Sequence, residues 1–484
     1  MPTLIDFLPA YTARERVSFH MPGHKGRRIF EESDLGDLIA RLVDFDITEV
    51  PGADNLYQAE GVIKGVMDRY RNLSGSLASY LLVGGSSAGI MASLFYAAER
   101  GRIILSSDCH KSAMHALTLS RARCSYVDPL LVPDFGISGG ADPRMIEQAL
   151  LTHRDTAFVY LTSPNYYGIG TDIKKIADIC HQRGVCLIVD QAHGAHLRLL
   201  QKAAQKEGGK RPWDRIEAGS AGADIVIESL HKTMASFTQT AVCHVFSPAI
   251  DRTRLEELLQ IFQSSSPSYP LMLSCDMNAA IVERRGDELG ARWLRNLRSF
   301  REAMEKVPQV RVLTHPLLDP SKIDLDMSRI GLGGGGLFKE LCRRGIVPEL
   351  YTDTLVVCMT GIGSRDEDYR LLAQALEDIS GAIEPATSSD DGGRPALMDE
   401  AALFHHGDIS TVSERRERVP YKKAAGRVAA AALIPYPPGI ALIIPGEIMT
   451  KEKLAYAVSL RRQGRRVIGL DEDDCVMCGP ASYF

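Results

Sequence analysis

Short runs of apolar and β-branched residues recur along the chain between about residue 79 and residue 246. Unbroken apolar runs of this length are typical of strands that are buried on both faces of a sheet. Longer stretches with helical spacing of apolar residues separate them, and one of these begins after the favourable N-cap residue Asp172. The runs are SYLLV (79–83), RIILS (102–106), AFVYL (157–161), VCLIVD (185–190), ADIVIES (223–229) and AVCHV (241–245).

Strands that alternate with helices predict an α/β fold, in which a mostly parallel central sheet carries helices on both faces. Sheets of this kind bind ligands at the carboxyl ends of their strands, in the crevice where the connections diverge. The residues that directly follow the apolar runs are therefore the first candidates for chemistry.

The chain of 484 residues is longer than one compact core usually supports, since single domains stop growing near about 250–300 residues. After residue 385, PATSSDDGGRP has the Pro, Gly and Ser content of a linker. We predict an N-terminal segment over 1–60, a major domain over 61–290, a small α/β domain over 291–385 and a C-terminal domain over 386–484, so that small α+β units follow the major domain. The run GLGGGG (331–336) lacks the Lys-Ser/Thr of a phosphate loop and indicates a turn or hinge.

The composition, with 45% hydrophobic and 24% charged residues and a formal charge of -5, is that of an ordinary soluble protein and does not favour nucleic-acid binding. We expect no membrane association and a cytoplasmic location, because the start lacks a signal-peptide pattern and no run reaches about 18–20 apolar residues. The ten cysteines lie mostly in apolar runs, which is typical of reduced thiols. Cys475 and Cys478 have metal-knuckle spacing but no second pair, so we expect no metal.

Small residues follow the first apolar run, where GGSSAG (84–89) leads into a stretch of helical character. Gly85 allows close approach of the backbone, Ser86 and Ser87 add hydroxyl donors, and a helix N-terminus offers unpaired N–H groups to an anion. The junction is a candidate phosphate site, although an ordinary Gly-Ser turn is the alternative.

Two further runs end in residues suited to holding a flat, basic ring. His110 lies just beyond RIILS, where an imidazole can stack on a ligand ring, and the alternative is a loop histidine. Asp190 ends VCLIVD, where burial penalises its charge unless a partner such as a protonated ring nitrogen is present. The alternative for Asp190 is a turn-capping residue.

The run ADIVIES brings Ser229, His231 and Lys232 to the same predicted edge. A desolvated lysine has a lowered pKa and attacks aldehydes to form a Schiff base. The alternative is a surface lysine whose stem packs on apolar residues. Together, the four strand ends provide for the phosphate, ring face, ring nitrogen and aldehyde of pyridoxal 5'-phosphate, which we predict as the cofactor.

A series of motifs runs through nearly the whole chain and resembles, in order and content, the Orn/Lys/Arg decarboxylase family. That family belongs to the fold-type I, aspartate-aminotransferase-like enzymes that use pyridoxal phosphate, and the resemblance is to its compact form without an N-terminal receiver-like domain. It implies a PLP-dependent transferase-like major domain. The motifs are FHMPGHKG (19–26), DITEVPGADNLYQAEGVIK (46–64), GGSSAG, HKS (110–112), SPNYYG (163–168), VDQAHGAH (189–196), SLHK (229–232), QSSSPSY (263–269), VPEL (347–350), YPPGI and PGE (436–447).

Carried over by position, the resemblance implies a catalytic group of Lys232, His231, His110 and Asp190. Lys232 holds the cofactor as a Schiff base, His110 stacks on the ring, and Asp190 binds the pyridine nitrogen. His193 and His231 are candidates for proton transfer. The remaining cofactor-binding residues implied are Gly85, Ser86, Ser87, Asn165, Ser229, Ser264 and Ser265.

Ser264 and Ser265 match residues that in the family reach the phosphate of the neighbouring subunit. The resemblance therefore implies a homodimer, or a higher homo-oligomer, with shared active sites. It also places residues 1–60 in the active site and the dimer.

The implied reaction is decarboxylation of a basic L-amino acid, with arginine first and then lysine or ornithine, to agmatine, cadaverine or putrescine in amine biosynthesis. Lys232 or His231 would return a proton to Cα after the carboxylate bond breaks. Glu447 is the first candidate to bind the side-chain cation, followed by Glu49, Asp54 and Tyr436, and each is alternatively a loop or capping residue.

Three positions depart from the family pattern. Asn165 stands where Thr is more frequent, Gln191 where Glu is common, and Ala441 where Pro is usual. We expect the missing Glu to remove a charge beside the cofactor, which predicts an unusual or narrowed substrate range.

Two alternatives stay open from the residues. The first is an aminotransferase or lyase of the same fold, in which Arg365 or Arg370 would bind the substrate carboxylate. The second is a catalytically silent regulatory relative, which the intact set of Lys232, Asp190 and His110 disfavours.

Overall fold

The protein is described from a computed structural model, over residues 4–13, 16–208, 213–383, 415–436 and 441–480. The N-terminal segment is mostly irregular and wraps onto the later domains, since its strand pairs in parallel with residues Ile346 to Pro348. Its elements are α1 (Leu4–Thr12), β1 (Val17–Phe19), α2 (Arg28–Glu31), α3 (Gly36–Ala40) and a 3-10 turn (Leu42–Phe45).

The major domain follows with alternating strands and helices, as the apolar pattern predicts. Its elements are α4 (Val62–Ser74), β2 (Ala78–Leu82), α5 (Gly85–Ala98), β3 (Arg102–Ser106), α6 (Lys111–Ser120), β4 (Cys124–Val127), β5 (Pro129–Val132), β6 (Ile137–Ala141), α7 (Pro143–Thr152), β7 (Thr156–Thr162), α8 (Ile173–His181), β8 (Cys186–Asp190), α9 (Leu197–Lys206), α10 (Trp213–Ile216), α11 (Ala218–Ala221), β9 (Ile225–Glu228), α12 (Leu230–Thr233), β10 (Ala241–Val245), α13 (Arg252–Ile261) and α14 (Tyr269–Met304).

A seven-stranded sheet forms the centre of this domain, in the order β2-β10-β9-β8-β7-β3-β4. Strand β10 runs antiparallel to both neighbours and the other pairings are parallel, which confirms the mostly parallel α/β sheet. Successive residues of β3 enter different apolar clusters, since Ile103 and Leu105 belong to one and Ile104 to another, and all three are fully buried. Both faces of the sheet are thus covered, which explains the unbroken apolar runs.

The small domain contains a four-stranded antiparallel sheet in the order β11-β12-β15-β14. The boundary predicted at residue 290 falls inside α14, which runs from the major domain into this unit. Glycines 334–336 begin a helix, so only the first part of GLGGGG forms the predicted turn. The elements are β11 (Arg311–Val312), β12 (Lys322–Asp326), a 3-10 turn (Ser328–Ile330), α15 (Gly334–Arg343), β13 (Ile346–Pro348), β14 (Leu350–Tyr351), β15 (Leu355–Met359) and α16 (Asp366–Ala382).

The C-terminal unit pairs β16 with β19 and β17 with β18, and it packs Ile434, Ala441 and Ile444 into the apolar cluster that contains Leu82 of the major domain. Cys475 and Cys478 lie in β19 as buried free thiols. The linker predicted after residue 385 lies outside the described residues. None of the described helices is both long and apolar enough to cross a membrane. The elements are β16 (Glu417–Pro420), a 3-10 turn (Tyr421–Lys423), β17 (Ile434–Tyr436), α17 (Lys451–Arg462), β18 (Arg466–Ile468) and β19 (Cys475–Cys478).

Candidate active site

The candidate phosphate loop lies between β2 and the N-terminus of α5. The helix starts at Gly85, whose φ of +74° favours glycine, and its N-cap residue Gly84 provides no side-chain cap. Buried Ser229 donates a hydrogen bond from its Oγ to Ser86 Oγ at 2.9 Å, which brings the end of β9 to the same point. Partly exposed Ser86 and Ser87, together with the N–H groups of the first turn, form an anion site.

Two glutamines that the motif analysis did not assign brace this loop. Gln263 Oε1 accepts from Val83 N at 2.8 Å, and Gln239 Nε2 donates to Val83 O at 2.6 Å. Ser264 and Ser265, which follow Gln263, are exposed beside the loop, and the Ser264 hydroxyl donates within its own segment to Ser266 O. Their contribution to a neighbouring subunit stays a prediction.

Asp190 ends β8 as a buried carboxylate with few partners. It accepts hydrogen bonds from Ala192 N at 3.0 Å and from Tyr160 OH at 3.2 Å. Burial raises the pKa of this carboxyl, and the charge of Lys232 partly offsets the effect. A protonated ring nitrogen would supply the cation that this dry site lacks.

Lys232 lies at the other side of the same crevice, in the short helix α12. Burial lowers the pKa of its amine, while Asp190 and Glu349 act in the opposite direction. Its Nζ lies 3.0 Å from Nε2 of His193, which follows β8. A lysine with a lowered pKa beside a carboxylate is suited to attack an aldehyde.

His110 and His231 flank this pair and both are held by local hydrogen bonds. His110 is the N-cap of α6, and its Nδ1 lies 2.8 Å from Ser112 Oγ. His231 Nδ1 lies 2.9 Å from the carbonyl of Thr240, so its tautomer carries the proton on Nδ1. Burial lowers the pKa of His110 to about 3 and that of His231 to about 4, which makes both rings neutral near pH 7.

The small domain contributes Glu349 and Lys322, which we did not predict. Glu349 accepts from Tyr166 OH at 2.8 Å and from Met21 N at 2.9 Å. Lys322 is 1% exposed, and its Nζ lies 3.1 Å from His193 Nδ1. The available signals were the motif VPEL and a lysine at the start of KIDLD, a strand in which polar residues alternate with Ile323 and Leu325. Only folding brings either residue to Lys232.

Asn165 is used by its own loop. Its Oδ1 accepts from Tyr167 N at 3.1 Å and Ile169 N at 3.0 Å, and its Nδ2 donates to Ser138 O at 2.8 Å. The side chain therefore holds SPNYYG in shape, and its predicted contact with the cofactor stays a prediction.

Gln191 is hydrogen-bonded to the end of β9 and to the start of α11. Its Nε2 donates to Glu228 Oε1 at 2.7 Å and its Oε1 accepts from Ala218 N at 2.8 Å, in a fully buried position. A glutamate here would direct a carboxylate at Glu228. The glutamine therefore avoids placing a second carboxylate against Glu228. The expected loss of a charge beside the cofactor stays a prediction.

Gln191→Glu should destabilise the protein by about 1–3 kcal/mol near pH 8 and by less near pH 5, because the two carboxyl groups can share a proton only at low pH. Thermal unfolding followed at both pH values measures this. The exchange Gln191→Glu with Glu228→Gln restores one donor and one acceptor and should recover most of the loss. A Gln191→Glu protein that unfolds like the parent at both pH values would contradict this account.

The predicted substrate residues are dispersed. Glu447 is 2% exposed, pairs with Lys453 and accepts from Ile444 N. Asp54 accepts hydrogen bonds from the backbone N–H groups at the start of α4. Burial raises the pKa of its carboxyl, but these hydrogen bonds outweigh burial and lower the pKa overall. Glu49 is exposed on the N-terminal segment, and the side chain of Tyr436 lies outside the described residues. Roles of these residues in substrate binding stay predictions.

Arg365 is committed elsewhere, since it precedes α16 and its guanidinium contacts Asp368 at 2.7 Å. That capping contact leaves it ill-suited to bind a substrate carboxylate. Arg370 lies exposed on the same helix.

The groups brought together fit pyridoxal phosphate. An anion site at α5, a buried carboxylate at Asp190 and an amine of lowered pKa at Lys232 lie along one edge of one sheet. The donor set matches the charge of each part of the cofactor: phosphate, ring nitrogen and aldehyde.

Comparisons with known proteins agree with this geometry. The chain is 32% identical over 476 residues to the uncharacterized protein YaaO of Bacillus subtilis, covering 95% of this chain and 94% of the relative. It is 26% identical over 459 residues to the arginine decarboxylase of the same organism, covering 93% and 91%. In fold it is similar to lysine decarboxylase A from Pseudomonas aeruginosa, with a TM-score of 0.75 at 20% identity, covering 99% of this chain and 80% of that structure.

The match to a family extends over most of the chain. Residues 2–323 match the Orn/Lys/Arg decarboxylase major domain, and residues 395–473 match the C-terminal domain of the same family. These matches confirm the predicted fold, the pyridoxal-phosphate cofactor and the activity class, decarboxylation of a basic amino acid. The chain belongs to the Orn/Lys/Arg decarboxylase family.

Proposed function

We propose that the chain decarboxylates L-arginine to agmatine, with Lys232 as the lysine that binds pyridoxal phosphate. One observation carries the assignment of the site: the Lys232 amine, whose pKa burial lowers, lies across the crevice from the buried Asp190 carboxylate, beside the uncapped N-terminus of α5.

Each residue of the site has a role that follows from its position. The first turn of α5, with Ser86, Ser87 and Ser229, holds the phosphate, and His110 covers the ring. Asp190 keeps the ring nitrogen protonated. Bound pyridoxal phosphate supplies the electron sink for the pair released when the Cα–carboxylate bond breaks.

Lys232 is the better candidate to return a proton to Cα. The His231 ring is neutral near pH 7, because burial lowers its pKa to about 4, so it has no spare proton when its Nδ1–H is bonded to Thr240. His231 serves instead to hold the loop that carries Gly23, whose N–H donates to the His231 carbonyl at 2.8 Å.

Similarity to arginine decarboxylases of nearly the same length supports arginine as the substrate. Arginine decarboxylases of Bacillus subtilis and Halalkalibacterium halodurans are each 26% identical and covered over more than nine-tenths of their length. Glu349 is partly exposed, and its negative charge raises the pKa of Lys232, as the charge of Asp190 also does. It supports binding of a cationic substrate at this crevice.

We further propose a homodimer that works in the cytoplasm. Ser264 and Ser265 are exposed, and so is the nearby apolar residue Ile261. This exposure would allow the two serines to contribute to the active site of a partner subunit. All ten cysteines are free thiols, which suits a reducing compartment.

The purified enzyme with cofactor, given arginine, lysine and ornithine separately, should release carbon dioxide fastest from arginine, and chromatography should identify agmatine. A tenfold or greater preference for lysine or ornithine in kcat/KM would overturn the choice of substrate, about 1.4 kcal/mol of discrimination. Formation of a keto acid without carbon dioxide would overturn the decarboxylase itself.

A further inference from the structure

His193 lies between two lysines in a buried chain of hydrogen bonds. Its Nε2 is 3.0 Å from Lys232 Nζ and its Nδ1 is 3.1 Å from Lys322 Nζ. His193 is 6% exposed and Lys322 is 1% exposed. We call Lys232, His193 and Lys322 the lysine relay.

The chemistry of imidazole restricts the charge of this relay. A neutral ring has one N–H and one lone pair, so it accepts from one lysine and must donate to the other. Only an amine without its extra proton can accept. Both contacts are therefore satisfied when one of the two lysines is an ammonium ion and the other is a neutral amine.

His193 is held in the neutral form that this argument requires. Burial lowers the pKa of its ring well below the usual value, and the charges of Lys232 and Lys322 act in the same direction. Tyr166 packs on the ring with centroids 4.6 Å apart and is fixed in turn by its hydrogen bond to Glu349.

Four carboxyl groups face the relay. Asp190 and Glu349 lie towards Lys232, and Asp319 and Glu349 offset the burial that lowers the pKa of Lys322 to about 8. Asp324 acts on Lys322 in the same direction, while burial raises the pKa of Asp324 itself well above its usual value, and neither of its oxygens has a hydrogen-bond partner among the described residues.

Three basic groups complete the surroundings. His110 and His231 are neutral near pH 7, because burial lowers their pKa values to about 3 and about 4. Lys25, whose pKa burial lowers to about 7, is bonded to the carbonyls of His20 and Met359 and stands outside the relay.

The position of Lys322 depends on Gly168 in the motif SPNYYG. A Cβ at Gly168 would overlap the side chain of Lys322, and the φ of +79° independently favours glycine. The small domain can thus place a lysine against the cofactor crevice only because the major domain leaves this gap.

We propose that Lys322 is a positioning residue that takes the proton of Lys232 through His193 and gives it back. The Lys232 ammonium passes a proton to His193 Nε2 while Nδ1 passes its own to the Lys322 amine, so the total charge is unchanged. Lys232 becomes a nucleophile without exchanging a proton with solvent, and the reverse transfer recharges it.

This inference rests on the proposed function in one respect, since it takes Lys232 as the cofactor lysine. The test uses the apoenzyme of the full chain and the rate at which it captures pyridoxal phosphate, followed by the absorbance of the imine. Borohydride reduction and peptide mapping identify the lysine that is labelled.

In the parent protein the fraction of neutral Lys232 is set by where the shared proton lies, and pH has little effect on it near neutrality. Lys322→Gln keeps a donor and an acceptor but cannot hold the proton. Below the pKa of Lys232, the capture rate of this variant relative to the parent should therefore fall by about tenfold for each unit by which the pH is lowered. The ionisations of the cofactor cancel in this ratio.

Lys174→Gln is the control, because it removes an exposed lysine that pairs with Asp178 and leaves the relay and the charges around it in place. Its ratio to the parent should not change with pH. A constant ratio for Lys322→Gln, with labelling at Lys232, would overturn the relay and leave the proposed function standing. Labelling at another lysine would overturn both.

If Lys322→Gln does not fold, the relay can still be tested in the parent apoenzyme. Its nitrogen NMR signals for His193, recognised by their loss in His193→Asn, should show a neutral ring that averages between the two tautomers. A single tautomer at every pH, or a doubly protonated ring, would overturn the relay.

Discussion

Lys232→Ala should abolish decarboxylation, with a loss of at least about 10³-fold in kcat. The reason is that Lys232 supplies the amine of lowered pKa at the Asp190 crevice, where its Nζ contacts His193 Nε2. Among the described residues, no other amine makes this contact. The variant should still bind the cofactor phosphate at α5, but borohydride should no longer fix the cofactor to the chain. Carbon dioxide release and mass spectrometry of the reduced protein measure the two effects.

Lys174→Ala is the matched control for this loss. Lys174 is an exposed lysine on α8 that pairs with Asp178, so its removal should leave both readouts unchanged. Turnover at the parental rate by Lys232→Ala would refute the assignment of the cofactor lysine.

Asp190→Asn should lower kcat by about 10²–10³-fold while the fold is kept. The amide has almost the shape of the carboxylate and can still accept from Ala192 N, but it cannot hold a proton on the ring nitrogen by charge. Steady-state kinetics of the variant with saturating cofactor measure the loss.

The apoenzyme should respond in the opposite direction. Burial raises the pKa of Asp190, and a carboxyl whose pKa is raised in the folded state destabilises that state as pH rises above about 3.9, its unfolded value. Asp190→Asn removes this destabilising charge near pH 7, so the apoenzyme of the variant should melt at the same temperature as the parent apoenzyme or at a higher one. A loss of activity that came with a lower melting temperature would indicate a structural role.

A cofactor analogue distinguishes the charge from the contact. Asp190→Ala leaves room beside the ring, so pyridoxal phosphate methylated on the ring nitrogen, which carries a permanent positive charge, should restore part of its activity. Unmodified cofactor should not. Equal activity with both forms would show that Asp190 does not act through the charge of the ring.

Much of the cofactor site is predictable because it depends on local order along the chain. Every apolar run of the central sheet except AVCHV, which forms the antiparallel β10, ends at the same edge, so Ser86, His110, Asp190 and Lys232 share that edge once the strands are identified. Strand order is not needed for that conclusion, since parallel strands share the direction of their carboxyl ends.

The roles of Gln191, Asn165 and Glu447 were not predictable in the same way. Each is polar and lies in a motif near the cofactor residues, yet each is used by a buried hydrogen bond or ion pair that the motif does not contain: Glu228 for Gln191, Ser138 for Asn165 and Lys453 for Glu447. A buried polar side chain must be satisfied by the nearest partner, and that partner is known only after folding.

The sequence by itself determined the candidate cofactor residues, Lys232 first and then the polar residues at the other strand ends. Apolar periodicity and residue type are local properties of the chain, so they can be read without knowing the rest of the fold. The tertiary structure alone decided that Lys322 and Glu349, far along the chain in the small domain, meet His193 and Tyr166. The physical reason is that contacts between domains depend on the packing of α14 and on gaps such as the one at Gly168, which no local pattern encodes.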